Sequence, residues 1–178
     1  MSAAPWSLPI AVADIPETGR RVELVADEHA RTALAKIAGV VGVPRFEAAF
    51  DLTRHGRDGV RVVGHVSATV EQNCVRTLEP MKNEIEEDVD LIFTSPSDAE
   101  DTAPEDGAGA EADEPPEVLR DGAVDLAAVA TEFLLLGIDP YPRKPGSVFA
   151  APKAVENAAS HPFAALAALK NTKRENDN

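Results

Sequence analysis

The residues whose side chains are best suited to react or to bind a ligand lie in one short link, residues 73–80, which reads Asn-Cys-Val-Arg-Thr-Leu-Glu-Pro. The link holds the only cysteine, Cys74, whose sulfur would act as a nucleophile only with a nearby base and a lowered pKa. The four histidines are scattered along the sequence, and none has a spacing typical of a cysteine–histidine pair. A small buried thiol is therefore the favoured interpretation of Cys74, and a reactive thiol is the alternative.

Two pairs of residues suggest binding rather than reaction. An exposed ion pair between Arg76 and Glu79 would contribute about 0–1 kcal/mol, whereas an unpaired guanidinium of Arg76 would suit a phosphate. Both interpretations stay open. Farther along the chain, Tyr141 and Arg143 have the chemistry to stack on and clamp RNA. The favoured interpretation of Tyr141, however, is that it fixes the path of the chain over the core.

Several classes of site are absent from the sequence. No glycine-rich phosphate loop, Ser-His-Asp set or pair of catalytic carboxylates stands at a credible spacing. A single cysteine allows neither an internal disulfide nor a cysteine-rich zinc site within one molecule. We therefore expect no enzymatic activity, no cofactor, no metal and no small-molecule substrate.

The elements that position the link are strands. The runs on both sides of it alternate apolar and polar residues, which is the period of a half-buried strand, and Pro80 belongs at a strand end. A third run, residues 42–54, has the same period, and a turn at 55–59 joins it to the next. We predict a three-stranded antiparallel meander over residues 45–93. Its apolar face is Phe46, Ala48, Phe50, Leu52, Val60, Val62, Val66, Ala68, Val70, Ile85, Val89, Leu91 and Phe93.

Helices and a further strand complete the predicted α+β fold. Residues 20–26 alternate as a strand, and a helix over 28–38 follows, with Asp27 as its N-cap and Gly39 as its stop. A second helix begins after Asp125 and ends near Gly137. The apolar face is Ala30, Leu34, Ile37 and Ala38 in the first helix. In the second it is Leu126, Val129, Ala130 and Phe133, which Leu134, Leu135 and Leu136 widen, so we expect burial on more than one side.

The charge of the chain is regional. The net charge is −14, and 14 of the 31 acidic residues lie between Asn83 and Leu119, where there is no lysine or arginine. Residues 94–117 have too little apolar content to offset the entropy of ordering, so we predict a disordered acidic insertion there. Its acidity serves solubility, or it suits a basic protein partner. A protein that coats RNA would need a basic face, which the sequence does not make obvious.

The C-terminal region is predicted to be loosely held. The prolines between residues 138 and 146 force an extended path. A short helix over 162–170 is marginal alone in water, and it lies in a segment, 143–178, that we expect to be mobile. The whole chain, 1–178, then forms one domain with its core over about 20–142. No run of about 18 apolar residues is present, the N-terminus lacks the pattern of a secretory signal, and there is a single cysteine, so we expect a cytoplasmic protein. We also expect it to be a monomer.

The order of these motifs resembles the YceD family, the large ribosomal RNA subunit accumulation proteins. Members commonly carry Cys-x-Arg-Cys-Leu at the link, and here Thr77 stands where the second cysteine would be. The segment Asp-Pro-Tyr-Pro-Arg at 139–143 and the C-terminal pattern His-Pro-Phe-x-x-Leu-x-x-Leu-Lys at 161–170 are similar to the family's later motifs. The similarity covers roughly residues 20–172.

The resemblance implies a non-enzymatic factor that supports accumulation or processing of large-subunit (23S) ribosomal RNA. Its partners would be precursor rRNA or a basic ribosomal protein, with no membrane involved. An acidic protein adaptor that never touches RNA is the alternative, and a thiol-dependent enzyme is a third. The binding residues carried over from the family motifs are Cys74, Arg76, Leu78, Glu79, Pro80, Tyr141, Arg143, Pro162, Phe163, Leu166 and Leu169.

Overall fold

The computed structural model describes residues 6–95, 117–119 and 121–148. The chain divides into two compact units, Met1–Ser147 and Val148–Asn178, and every helix and strand described below belongs to the first. The predicted helix over 162–170 and most of the predicted acidic insertion lie outside the described residues.

The described elements form two sheets and two α-helices, which confirms the predicted α+β class. The main sheet has the order β2-β3-β4-β5-β6 and is antiparallel except where β6 runs parallel to β5. The small sheet pairs β1 with β7, and a short 3-10 turn, Val12–Asp14, follows β1. The elements are β1 Pro9–Ala11, β2 Arg20–Val25, α1 Glu28–Ala38, β3 Gly42–His55, β4 Gly59–Asn73, β5 Pro80–Thr94, β6 Glu117–Val118, β7 Ala123–Asp125 and α2 Leu126–Gly137.

The predicted meander is β3, β4 and β5, and its apolar face forms the core. Phe50, Val62 and Val66 are fully buried, because alternate side chains of a strand point to the same face. Burial of one such side chain stabilises the fold by about 1.5–3 kcal/mol. Both helices pack on this face, α1 against β3 and α2 against β4 and β5. The link between the two longest strands is thereby fixed to a rigid hairpin.

The first helix begins and ends as predicted, but its buried stripe is rotated. The carboxylate of Asp27 accepts the Ala30 N–H at 2.8 Å, and Gly39 adopts φ 66° after the last turn. Ile37, which we predicted to face the core, is 56% exposed, whereas Ala35 is buried. The helix is turned about its axis toward Ala35, so Ile37 lies at the margin of the contact with β3.

The second helix is joined to the N-terminal strand through its cap. Asp125 accepts the N–H groups of Ala127 at 3.0 Å and Ala128 at 3.3 Å. The same carboxylate accepts the Leu8 N–H at 2.8 Å and the Ser7 hydroxyl at 2.6 Å. One side chain therefore caps α2 and holds the segment that leads into β1.

The prediction that α2 is buried on more than one side is wrong. Leu135 is 39% exposed and Leu136 is 72% exposed, because the described strands that contact α2 most, β1, β4 and β5, leave this side of the helix uncovered. The helix approaches β5 closely at Gly137. A Cβ atom on Gly137 would lie 2.4 Å from Ile85 Cγ2 and 2.8 Å from Glu87 Oε1. The glycine is therefore needed for close packing rather than for a left-handed cap.

The opposite face of the sheet is open and charged. Its cross-strand pairs join Arg45 to Glu84 at 3.0 Å, Arg61 to Asp90 at 2.6 Å and His65 to Asp88 at 2.9 Å. Each exposed pair contributes roughly 0–1 kcal/mol. In the described part of the chain, no helix has the length and apolar character needed to cross a membrane.

Candidate binding site

The link between β4 and β5 is a closed hairpin loop, residues 74–79. The Cys74 N–H donates to the Glu79 carbonyl at 2.9 Å, and the Leu78 N–H donates to the Cys74 carbonyl at 2.8 Å. Leu78 has φ 60° and is 76% exposed. A left-handed conformation costs a residue with a side chain roughly 1–2 kcal/mol. The loop therefore holds an apolar side chain in solvent at an energetic cost.

A second segment, here called the strap, lies against this loop. It comprises residues 138–147, which leave α2 in the extended path that the prolines predict. The Val75 N–H donates to the Pro142 carbonyl at 2.9 Å, and Pro142 is buried. The Gln72 side-chain amide donates to the Asp139 carbonyl at 2.9 Å. Two sequence motifs more than sixty residues apart thus form one surface, the loop–strap face.

The ion pair considered between Arg76 and Glu79 does not form. The Arg76 guanidinium donates to the Ser147 carbonyl at 2.7 Å, and Glu79 pairs with Lys144 at 2.9 Å. The Lys144 ammonium lowers the pKa of the Glu79 carboxyl through this hydrogen bond and its charge. Both residues therefore connect the loop to the strap instead of to each other.

Cys74 lies inside this junction. Its side chain is fully buried, which agrees with the favoured interpretation, and its sulfur accepts the Lys144 N–H at 3.4 Å. The polar groups of Thr77 and the Lys144 N–H lower the pKa of the Cys74 thiol to about 6, although burial opposes the shift. Thr77, which stands where the resembled motif has a second cysteine, donates its hydroxyl to Glu79 Oε2 at 3.4 Å.

We expect the Cys74 thiol to titrate near pH 6 in the folded protein, as measured by the ultraviolet absorbance of the thiolate. A thiol pKa that is lower in the folded state means that the unfolded chain binds more protons between pH 6 and 9. Stability should therefore rise with pH across this window and fall as the thiolate is protonated. Cys74→Ala should lack that dependence. A titration midpoint of the Cys74 thiol near pH 9 would show that the strap does not stabilise the thiolate.

Three of the predicted site residues point outward from the loop–strap face. Leu78, Tyr141 and Arg143 are all exposed, and the Tyr141 N–H is fixed by Asp139 Oδ1 at 2.8 Å. The favoured interpretation, in which the Tyr141 side chain fixes the path of the chain over the core, is wrong, because that side chain is 69% exposed. The proline beside it, Pro142, is buried in its place. Pro80 is the first residue of β5 and is exposed, as its position at a strand end predicts.

Sequence reasoning missed the residues that join the two segments. Gln72, Asp139 and Lys144 were not predicted as site residues, yet each connects the hairpin to the strap. The Asn83 amide supports Gln72 by donating to its Oε1 at 2.7 Å. The cluster of prolines was the one available signal of a fixed path. The remaining predicted residues, Pro162, Phe163, Leu166 and Leu169, lie outside the described residues.

The loop–strap face is an exposed surface on an α+β scaffold. Across residues 6–95, 117–119 and 121–148, no three histidine, cysteine, aspartate or glutamate side chains come together as metal ligands. The Cys74 sulfur is enclosed by donors rather than open to a substrate. The exposed groups are an aliphatic side chain, an aromatic ring and a guanidinium, of which tyrosine and arginine are enriched among residues that dominate macromolecular interfaces.

Comparison with known proteins gives the family. Residues 62–170 match the family described as "Large ribosomal RNA subunit accumulation protein YceD", which covers more than half of the chain. The chain belongs to the YceD family. The match includes the loop, the strap and the C-terminal motif, and the family is described by RNA accumulation rather than by a reaction. No curated protein and no solved structure matches the chain.

Proposed function

We propose that this protein supports accumulation of large-subunit ribosomal RNA by binding a precursor of the subunit through the loop–strap face. The proposal is carried by one observation, which is that some motif residues fix the loop to the strap while others are exposed to solvent. Cys74, Arg76 and Glu79 hold the loop and the strap together. Leu78 and Tyr141 are left exposed at 76% and 69%, on a backbone that is already fixed.

RNA is the favoured partner for this face. An exposed tyrosine ring stacks on a base with about 1–3 kcal/mol, and a guanidinium two residues away can bind a phosphate. Arg76, Arg143 and Lys144 bring three positive charges to the loop–strap face, against the two carboxylates of Glu79 and Asp139. The bond to Ser147 uses one of the five N–H donors of the Arg76 guanidinium. The face is thus locally basic in a protein whose net charge is −14.

A protein-only adaptor is the second candidate. The net charge of −14 opposes general attraction to a phosphate backbone, and an exposed leucine suits an apolar pocket better than a nucleic acid. In this account the same face would bind a ribosomal protein. The factor would act in the cytoplasm on the immature subunit in either case, and no bond would be made or broken.

Sedimentation of a cell lysate tests the function. We expect the protein to sediment with free or precursor large subunits and to be absent from small subunits. Filter binding with precursor rRNA then separates the two candidates, because affinity for RNA should fall steeply with salt. Sedimentation with large subunits but no RNA binding would favour the adaptor, and sedimentation with neither would refute the assembly role.

Leu78→Gly is expected to separate stability from binding. Glycine adopts the left-handed conformation freely, and the leucine side chain is 76% exposed, so the variant should be more stable by about 0.5–1 kcal/mol. Association with large-subunit precursors should weaken because the exposed side chain is lost. Urea denaturation and sedimentation measure the two effects. Val75→Ala, also on the loop, is the control that keeps Leu78. If Leu78→Gly associated as well as the native protein, Leu78 would not be a contact.

A further inference from the structure

The outer edge of β5 is open within the described part of the chain. One edge of β5 pairs with β4 along nearly the whole strand, from Pro80 to Phe93. The other edge pairs with β6 only at Phe93 and Thr94. In a strand, alternate residues direct their N–H and C=O groups to each side. About half of the backbone groups between residues 80 and 92 therefore face an edge with no described strand beside it, which is a template for another strand.

The side chains along this edge make its chemistry specific. The outward face of β5 carries four carboxylates, Glu84, Glu86, Asp88 and Asp90. Arg45, Arg61 and His65 meet them from the neighbouring strands, so this stretch stays negative. The Asp88 side chain is 97% exposed. A strand added here would place its own outward side chains beside these carboxylates.

The charge of the β5 edge indicates which kind of strand could bind beside it. A second copy of the chain paired through β5 would oppose carboxylate to carboxylate, which is destabilising. The chain's own segment 96–116 carries eight acidic residues and no basic one, so its charge also does not complement the edge. An extended segment rich in lysine or arginine does complement it. On the inner side, β5 carries Ile85, Val89 and Leu91, with Glu87 among them. Leu136 of α2 is 72% exposed, so apolar residues suit most of the alternate positions of an added strand.

We propose that the outer edge of β5 binds an extended polypeptide that alternates basic and apolar residues, as an added strand of the sheet. The backbone hydrogen bonds supply affinity, and the carboxylates select the basic side chains. This inference goes beyond the proposed function, because Glu84, Glu86, Asp88 and Asp90 lie outside the loop–strap face, and binding at this edge does not require RNA. The edge would give the protein a second, independent contact with a basic protein.

The test uses the full-length chain and a peptide of about nine residues, a common strand length, that alternates lysine and valine. Two N-methylated versions, one methylated at every lysine and one at every valine, keep the charge. In an added strand, either the lysine N–H groups or the valine N–H groups all point toward β5. Only one of the two methylated peptides therefore keeps the N–H groups that can bond to the edge. We expect the parent peptide to bind, and one methylated version to lose binding while the other keeps it. Amides of alternate residues between 83 and 91 should gain protection from hydrogen exchange.

A charge variant completes the experiment. Glu86→Lys/Asp88→Lys should weaken binding by about tenfold or more, corresponding to roughly 1.4 kcal/mol. The matched variant Glu23→Lys/Asp51→Lys, on β2 and β3, should leave it unchanged. Equal binding of all three peptides would mean that general charge attraction, and not backbone hydrogen bonding to β5, accounts for the binding. If the β5 amides that point away from β4 were already protected in the protein alone, the chain would cover its own edge. A gain of protection at β2 on adding the peptide would place the peptide elsewhere. Any of these results overturns the proposal.

Discussion

Replacing Gly64 with valine is expected to cost at least about 3 kcal/mol of unfolding free energy, which is a large part of the stability of a small domain. Gly64 lies opposite Phe50 where β3 pairs with β4. A Cβ atom there would lie 2.2 Å from the Ala49 carbonyl oxygen and 2.5 Å from Phe50 Cδ1. The first of these atoms is backbone, so it cannot move without opening the ladder. Urea denaturation of the purified variant measures the loss.

The control for this prediction is Thr69→Val in the same strand. Thr69 faces the open side of the sheet, where its hydroxyl donates to Glu84 at 2.9 Å, and the change is nearly isosteric. We expect it to cost no more than about 1 kcal/mol, the value of one exposed hydrogen bond. Equal stability of Gly64→Val and the native protein would mean that β3 and β4 are not packed as described. The platform that fixes the loop would then be in doubt.

The second large effect concerns association. The triple variant Leu78→Ser/Tyr141→Ala/Arg143→Glu should lose association with large-subunit precursors by more than about a hundredfold, or roughly 2.7 kcal/mol. All three side chains are exposed, and the bonds that join the loop to the strap use other residues. The unfolding free energy should therefore change by only about 0.5 kcal/mol. Sedimentation of the variant beside the native protein measures the loss.

A matched triple variant shows whether the effect is local. Val25→Ser/His55→Ala/Arg57→Glu makes the same types of change at exposed positions away from the loop. It has the same net charge as the first variant and should still associate. Loss of association in both variants would point to total charge, and retention in both would remove the loop–strap face as the contact.

Much of the fold followed from local patterns. The two-residue period predicted β3, β4 and β5 because one face of each strand is buried and the other faces solvent. Asp27 and Gly39 predicted the ends of α1, since caps depend on near neighbours in sequence. The rotation of α1 that exposes Ile37 could not be predicted, because it depends on which side chains of β3 meet the helix. Nor could β6, because two residues are too few to show a period.

The site was predictable only as separate parts. The motif residues were found, but the nearest partner for Arg76 in sequence was Glu79, and the folded chain uses Ser147 instead. Contacts between residues 72–79 and 139–147 are long-range, and no periodicity encodes them. The surroundings of Cys74 are of the same kind, because a thiol stabilised by a distant backbone N–H looks in sequence like any buried cysteine. The exposure of Tyr141 likewise depends on Pro142 taking the buried position.

The most direct measurement is site-specific photocrosslinking on isolated large-subunit precursors. A photoreactive amino acid replaces Tyr141 in one protein and Val63, which is 39% exposed on the open face of the sheet, in another. We predict that position 141 crosslinks to large-subunit rRNA at a defined site and that position 63 does not. Crosslinks from position 141 to protein alone, or equal crosslinking from both positions, would contradict the account.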